Sequence, residues 1–114
     1  MSTIKVDTIQ DTSGNEQFTA KAWVNFNGTG TVAIRADGNV SSITDNGTGI
    51  YAVNFTNALS LANHFVGGCA GQQPNSYMIT MECTSTSTTS DGVETQSTNH
   101  ATFDPAFVSL SAAI

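Results

Sequence analysis

"AKAWVNFNGTGTVAIRA", residues 20–36, decides the fold. Apolar and polar residues alternate through its first half: Ala20, Ala22, Val24 and Phe26 share one parity, and Lys21, Trp23, Asn25 and Asn27 the other. A period of two sends successive side chains to opposite faces of a strand. After the turn NGTG, Val32, Ile34 and Ala36 form a second apolar parity, so the stretch predicts an antiparallel hairpin.

The pattern extends outward in both directions. In ADGNVSSITDNGTG (36–49) a strand lies between the turn signals Asp37-Gly38 and Asn46-Gly47, and the out-of-phase spacing of Val40 and Ile43 predicts a bulge at Ser41 and Ser42. GIYAVNFT (49–56) sets Tyr51, Val53 and Phe55 on one face, and the four tightly joined strands read as a meander. NALSLANHF (57–65) is the one place where a helical turn fits, although polar residues interrupt its Leu59 and Leu61. FVGGCAG (65–71) reads as a strand loosened by glycine, QQPNS (72–76) as a loop, and YMITMECT (77–84) as a strand with Tyr77, Ile79, Met81 and Cys83 facing one way. The polar run TSTSTTSDGVETQSTN (84–99) has Asp91-Gly92 at its centre, predicting an exposed hairpin with that pair at its tip. FVSLSAAI (107–114) closes the sequence as a strand with Val108, Leu110 and Ala112 turned to the core.

These segments predict an all-β chain: a single antiparallel β-sandwich of about seven to nine strands over residues 17–114. The expected core is Val24, Phe26, Val32, Ile34, Tyr51, Val53, Phe55, Ile79, Met81, Val108 and Leu110. Composition agrees, because 114 residues with 11% charged side chains and abundant Thr, Ser, Asn and Gly suit one domain of strands and turns. Residues 1–16 stand apart as an extended N-terminal arm: STIKVDTIQ alternates weakly, with Ile4 and Val6 on one side and Ile9 on the other, and could add to a sheet edge, its own or a neighbour's.

Charge and motif content exclude several functions. Three basic residues oppose nine acidic ones, for a net charge of −6, so a phosphate backbone is repelled and nucleic acid is not an expected partner. No run of about 18 apolar residues occurs, so membrane insertion is not expected. The opening residues are too polar for a secretory signal; the protein is expected to stay where it is made or to leave by cell lysis. Cys69 and Cys83 are therefore expected as free thiols, and their intervals to His64 and His100 match no compact zinc-ligand pair. Neither histidine lies in a nucleophile motif, and both read as partly exposed polar residues. The NGTG stretches lack the lysine and helix of a phosphate loop. Asp37, Asp45, Asp91 and Glu94 read as loop acids serving turn geometry, and the Asn-x-Ser/Thr triplets at Asn27, Asn39, Asn46 and Asn54 as turn asparagines. No catalytic residue, cofactor or metal is expected.

Trp23 is the exception. A large aromatic on the polar side of a strand needs a cover: another subunit, the N-terminal segment, a ligand such as a sugar ring, or a second buried face. The preferred reading is a subunit interface.

STIKVDTIQDTSG followed by KAWVNFNGTGTVAIRADGNVSSITDNGTGIYAVNFTNAL resembles a family of tailed-bacteriophage structural proteins, usually labelled tail fibre or virion proteins. The resemblance covers about residues 2–61, with KAWVNFNGTGTVAIR and VSSITDNGTG as its most specific parts. It implies a non-enzymatic virion protein: a homotrimeric short tail fibre or receptor-binding tip, gripping other virion proteins through residues 1–16 and contacting a host surface receptor, a glycan among the possibilities. Ile4, Val6, Ile9 and Trp23 would serve attachment and subunit contact. Recognition would fall to loops at the end away from the arm, first to the polar segment 85–98 with Ser90, Asp91, Gly92 and Glu94. The alternative is a capsid decoration protein whose arm clamps shell subunits.

Overall fold

A computed structural model describes residues 2–16, 20–71, 79–97 and 101–114. Eight strands follow in chain order: β1 (Ala22–Asn27), β2 (Ala33–Gly38), β3 (Val40–Gly47), β4 (Ile50–Phe55), β5 (Phe65–Gly71), β6 (Thr80–Thr86), β7 (Ser90–Gln96) and β8 (Phe107–Ala113). They form two four-stranded antiparallel sheets, ordered β2-β1-β8-β5 and β3-β4-β7-β6. No helix occurs among the described residues; 56–64 crosses from one sheet to the other as an irregular link.

One apolar layer joins the sheets. Ala22, Val24, Phe26, Val108, Leu110 and Ala112 face Val40, Tyr51, Val53, Phe55 and Val93, and the Phe26 and Tyr51 rings meet edge to face at 5.2 Å. Seven of the expected core residues are buried here: Val24, Phe26, Tyr51, Val53, Phe55, Val108 and Leu110. Val32, Ile34 and Met81 pack partly buried against them, whereas Ile79, half-buried just ahead of β6, is not part of this cluster; Tyr77 lies outside the described residues.

The first two hairpins do not make a meander. β1 and β2 pair in one sheet, β3 and β4 in the other, and the single residue Asn39 turns the chain between them. Asn39 has a φ of 58° and its side chain bonds the Lys21 and Asn57 carbonyls and the Asn57 N–H, so this asparagine can hold a left-handed corner that most residues resist. The expected bulge is present, with the β3–β4 register shifting between Val40 and Ser42. A second bulge was not foreseen. Between Asn25 and Phe26 the register with β2 slips from Ala36 to Ile34, so Arg35 is the extra residue and Ala36 lies exposed instead of sharing the Ile34 face.

The polar hairpin is real, but its tip is elsewhere. β6 and β7 pair with Thr86 opposite Asp91, and Ser87 makes the turn: its hydroxyl oxygen accepts from the Thr89 and Ser90 N–H groups. This tip is docked, since Thr88 and Thr89 carbonyls accept from Leu59 and Phe55 N–H groups. It lies at the end of the molecule where β4 finishes and β1 begins, not at the opposite end formed by Gly28, Gly49 and residues 103–105.

Candidate functional site

The outer face of the first sheet carries an open groove of about 360 Å³ lined by Trp23, Asn25, Gly67, Cys69, Ser109 and Ser111 over the backbone of Val24, Gly68 and Leu110. Strand parity builds it. The same alternation that buries Val24 and Leu110 turns Trp23, Asn25, Ser109 and Ser111 outward, and the register places two rows side by side: Gly38, Trp23, Ser111, Gly67 and then Ala36, Asn25, Ser109, Cys69. Trp23 leans toward the sheet edge, with its indole lying on Gly38 where any Cβ would collide with the ring. It remains 44% exposed, forming one wall of a groove whose exposed lining is mostly apolar despite the serines and asparagine along it.

The bulge aims Arg35 onto this face. Its Nη1 donates to Asn25 Oδ1 at 3.2 Å, its Nη2 donates to the Ala106 carbonyl at 2.7 Å, and its guanidinium carbon stands 4.7 Å from the centre of the Phe107 ring. Asn25 passes the contact on, donating from Nδ2 to Ser109 Oγ at 3.0 Å. Arg35 has no carboxylate partner among the described residues, in a chain with nine acidic side chains. Neither Arg35, Asn25 nor the serines was singled out from sequence. The outward parity of Ser109 and Ser111 in FVSLSAAI was readable; the bulge that re-aims Arg35 was not.

The second polar cluster is internal. His64, in the link before β5, places Nε2 2.8 and 3.0 Å from the two Asp91 carboxylate oxygens and Nδ1 2.9 Å from the Leu61 carbonyl. Both side chains are shielded completely from solvent. This corrects three expectations: His64 is buried, Asp91 is an inward residue of β7 instead of a hairpin tip, and Glu94 is likewise in β7, facing outward. The reason is a partner far away in sequence, which lets a carboxylate occupy a core position. Ser90 and Gly92 also lie within β7, half-buried, with the Ser85 and Thr84 hydroxyls packed beside Gly92. Burial works to lower the His64 pKa, but the Asp91 carboxylate and Leu61 carbonyl outweigh it and raise it; burial raises that of Asp91 against the pull of His64. With both ring nitrogens engaged and no exposed edge, this pair is a clamp on the 56–64 link, not an acid or base facing a substrate.

The remaining expected residues are at the surface. Ile4, Val6 and Ile9 are 87, 58 and 53% exposed, and residues 2–16 form no strand, only a Gln10–Glu16 bridge closed by Asp11, whose carboxylate accepts from Ser13 and Asn15 N–H groups. Asp37 and Asp45 belong to β2 and β3, Asp45 capping the Gly47 N–H at its turn. Cys69 and Cys83 are free and exposed. His100 lies outside the described residues, and among those described no three potential ligands gather for a metal. No helix there is long and apolar enough to cross a membrane. No protein-family model matches the chain, and the comparisons with curated proteins and with solved structures found no match.

Proposed function

We propose that the chain is a non-enzymatic structural protein of a tailed-phage virion, a short tail fibre or receptor-binding tip whose two-sheet body is a β-sandwich presented to the host surface. The observation that carries this reading is the division of the molecule: among the described residues every core residue lies at or beyond Ala22, while the leading segment exposes Ile4, Val6 and Ile9. Apolar residues left outside a closed core favour a segment that finds its cover on other chains. In this reading residues 1–16 grip other virion proteins and join three copies, and the open groove at Trp23 supplies host contact. Three weak sites per trimer and several trimers per particle give avidity without a deep pocket. The resemblance of residues 2–61 to phage virion proteins supports the same assignment.

Gold-labelled antibody against the body, applied to intact particles, tests it. Label at the tail or its appendages is expected. Label spread over the head would replace host contact with capsid decoration, and absence from purified particles would end the virion reading.

A further inference from the structure

The groove combines two features that point to a ligand class. One is an indole wall beside a groove whose exposed lining is mostly apolar, with a few polar atoms among Asn25, Ser109 and Ser111, which fits the apolar face of a ring that carries polar groups at its rim. The other is Arg35, one of only three basic side chains, exposed beside that groove and bonded only to neutral oxygens. With a net charge of −6 the chain has acids to spare, yet none neutralises this guanidinium among the described residues.

We propose that the outer face of β1, β8 and β5 binds an acidic saccharide, a glycan bearing carboxylates such as a uronic or sialic acid. A pyranose ring stacks its apolar face on Trp23. The carboxylate pairs with Arg35, which Phe107, Asn25 and the Ala106 carbonyl hold in place. Trp23 and Asn25 are two residues apart on β1, roughly 7 Å, so one or two linked sugars reach from indole to guanidinium. Asn25 spends its amide on Arg35 and Ser109, which leaves the Ser109 hydroxyl proton to be donated outward, and the Ser111 hydroxyl makes no bond within the described residues. Phe65, the most exposed aromatic of this sheet, folds beside Gly67 as a second apolar edge.

Charge separates this ligand from the alternatives. A dense polyanion such as nucleic acid needs many cations and meets a net negative surface. A second copy of the chain would need about 800 Å² of complementary surface on each side, and sedimentation, below, separates it from a sugar.

The inference rests on the host-contact reading for its biological setting, but its chemistry can be tested alone. Trp23 is the only tryptophan, so its emission reports on the groove directly. The full chain is titrated with galacturonate, digalacturonate and sialyllactose, and with neutral maltotetraose. The expected result is a saturable emission change with at least one acidic series, at least tenfold weaker with maltotetraose and weakened by added salt. Arg35→Gln should lower affinity for the acidic sugar at least tenfold with the unfolding midpoint kept, and Arg35→Lys should restore part of it. No response to any acidic series, equal response to the neutral sugar, or an Arg35→Gln protein that binds unchanged would overturn the proposal. So would an emission shift on protein concentration alone with association in sedimentation velocity, which makes the groove a subunit contact. Acidic sugars that fail to bind a protein found at the tail sink the acidic-sugar site and leave the tail-tip reading standing; acidic-sugar binding by a protein absent from particles does the reverse.

Discussion

His64 and Asp91 each occupy a place that apolar residues normally hold, and together they are satisfied there. Removing one partner strands the other in the core. Asp91→Ala should therefore cost about 3 kcal/mol in denaturant unfolding, while His64→Leu combined with Asp91→Leu should recover more than half of that loss; additive losses would show that the two are not coupled. The pH dependence has a definite sign. Both groups have raised values in the fold, so the folded state binds more protons than the unfolded chain and stability falls as pH rises. His64's contribution is complete below its ordinary 6.5 and is lost as pH climbs through its raised folded value; Asp91's is already declining from 3.8 upward. The thermal midpoint should drop between pH 6 and pH 9, and the double leucine variant should flatten that slope. Tyr51 does not interfere in this range, because burial first, then its bond to Asp104, raises its ionisation far above the usual 10. Its hydroxyl donates to Asp104 Oδ1 at 2.8 Å, and Tyr51→Phe should cost about 1 kcal/mol in the same assay.

Strands whose inner positions are all apolar were legible in the sequence, and β1, β4 and β8 show it: the parity of Val24 and Phe26, of Tyr51, Val53 and Phe55, and of Val108 and Leu110 is the parity of burial. β7 was misread because two of its three buried residues are Asp91 and Thr95. Thr95 is satisfied by the Phe103 carbonyl and Asp91 by His64, partners that no local pattern announces. The Trp23 groove was half legible: parity put the indole outside, but its neighbours come from β2, β5 and β8, which only the register assembles. The fit between Trp23 and Gly38 makes a prediction at this scale. In Gly38→Val the new side chain takes the space of the indole, so Trp23 should be pushed into solvent with a red-shifted emission, and an unchanged spectrum would mean that the ring does not rest there. Trp23→Ala, by contrast, should leave the body folded with a loss of about 1 kcal/mol, since the ring covers an outer face; collapse of the fold would make it a core residue.

Residues 2–16 contribute no side chain to the core, and the two sheets close on each other without them. Deleting residues 1–16 should leave the unfolding midpoint of the body within a few degrees of the full chain while abolishing any trimer, as sedimentation would record; a trimer that persists would move the subunit contact onto the body. The sheet assignment itself was not legible, because a single residue, Asn39, carries the chain from one sheet to the other where tight joins had read as a meander. The position of β8 has a consequence for how the molecule is made. It comes last of the eight described strands, yet it lies between β1 and β5 and bonds to both. Until residues 107–113 leave the ribosome, β5 has no neighbour in its sheet and β1 has one bare edge, while the other sheet can already be complete. The emergence of β8 is thus an insertion that locks the first sheet, and a nascent chain paused just short of it would offer two vacant edges a strand's width apart. A peptide of the β8 sequence supplied to a chain cut after residue 106 should fill that slot and restore the fold.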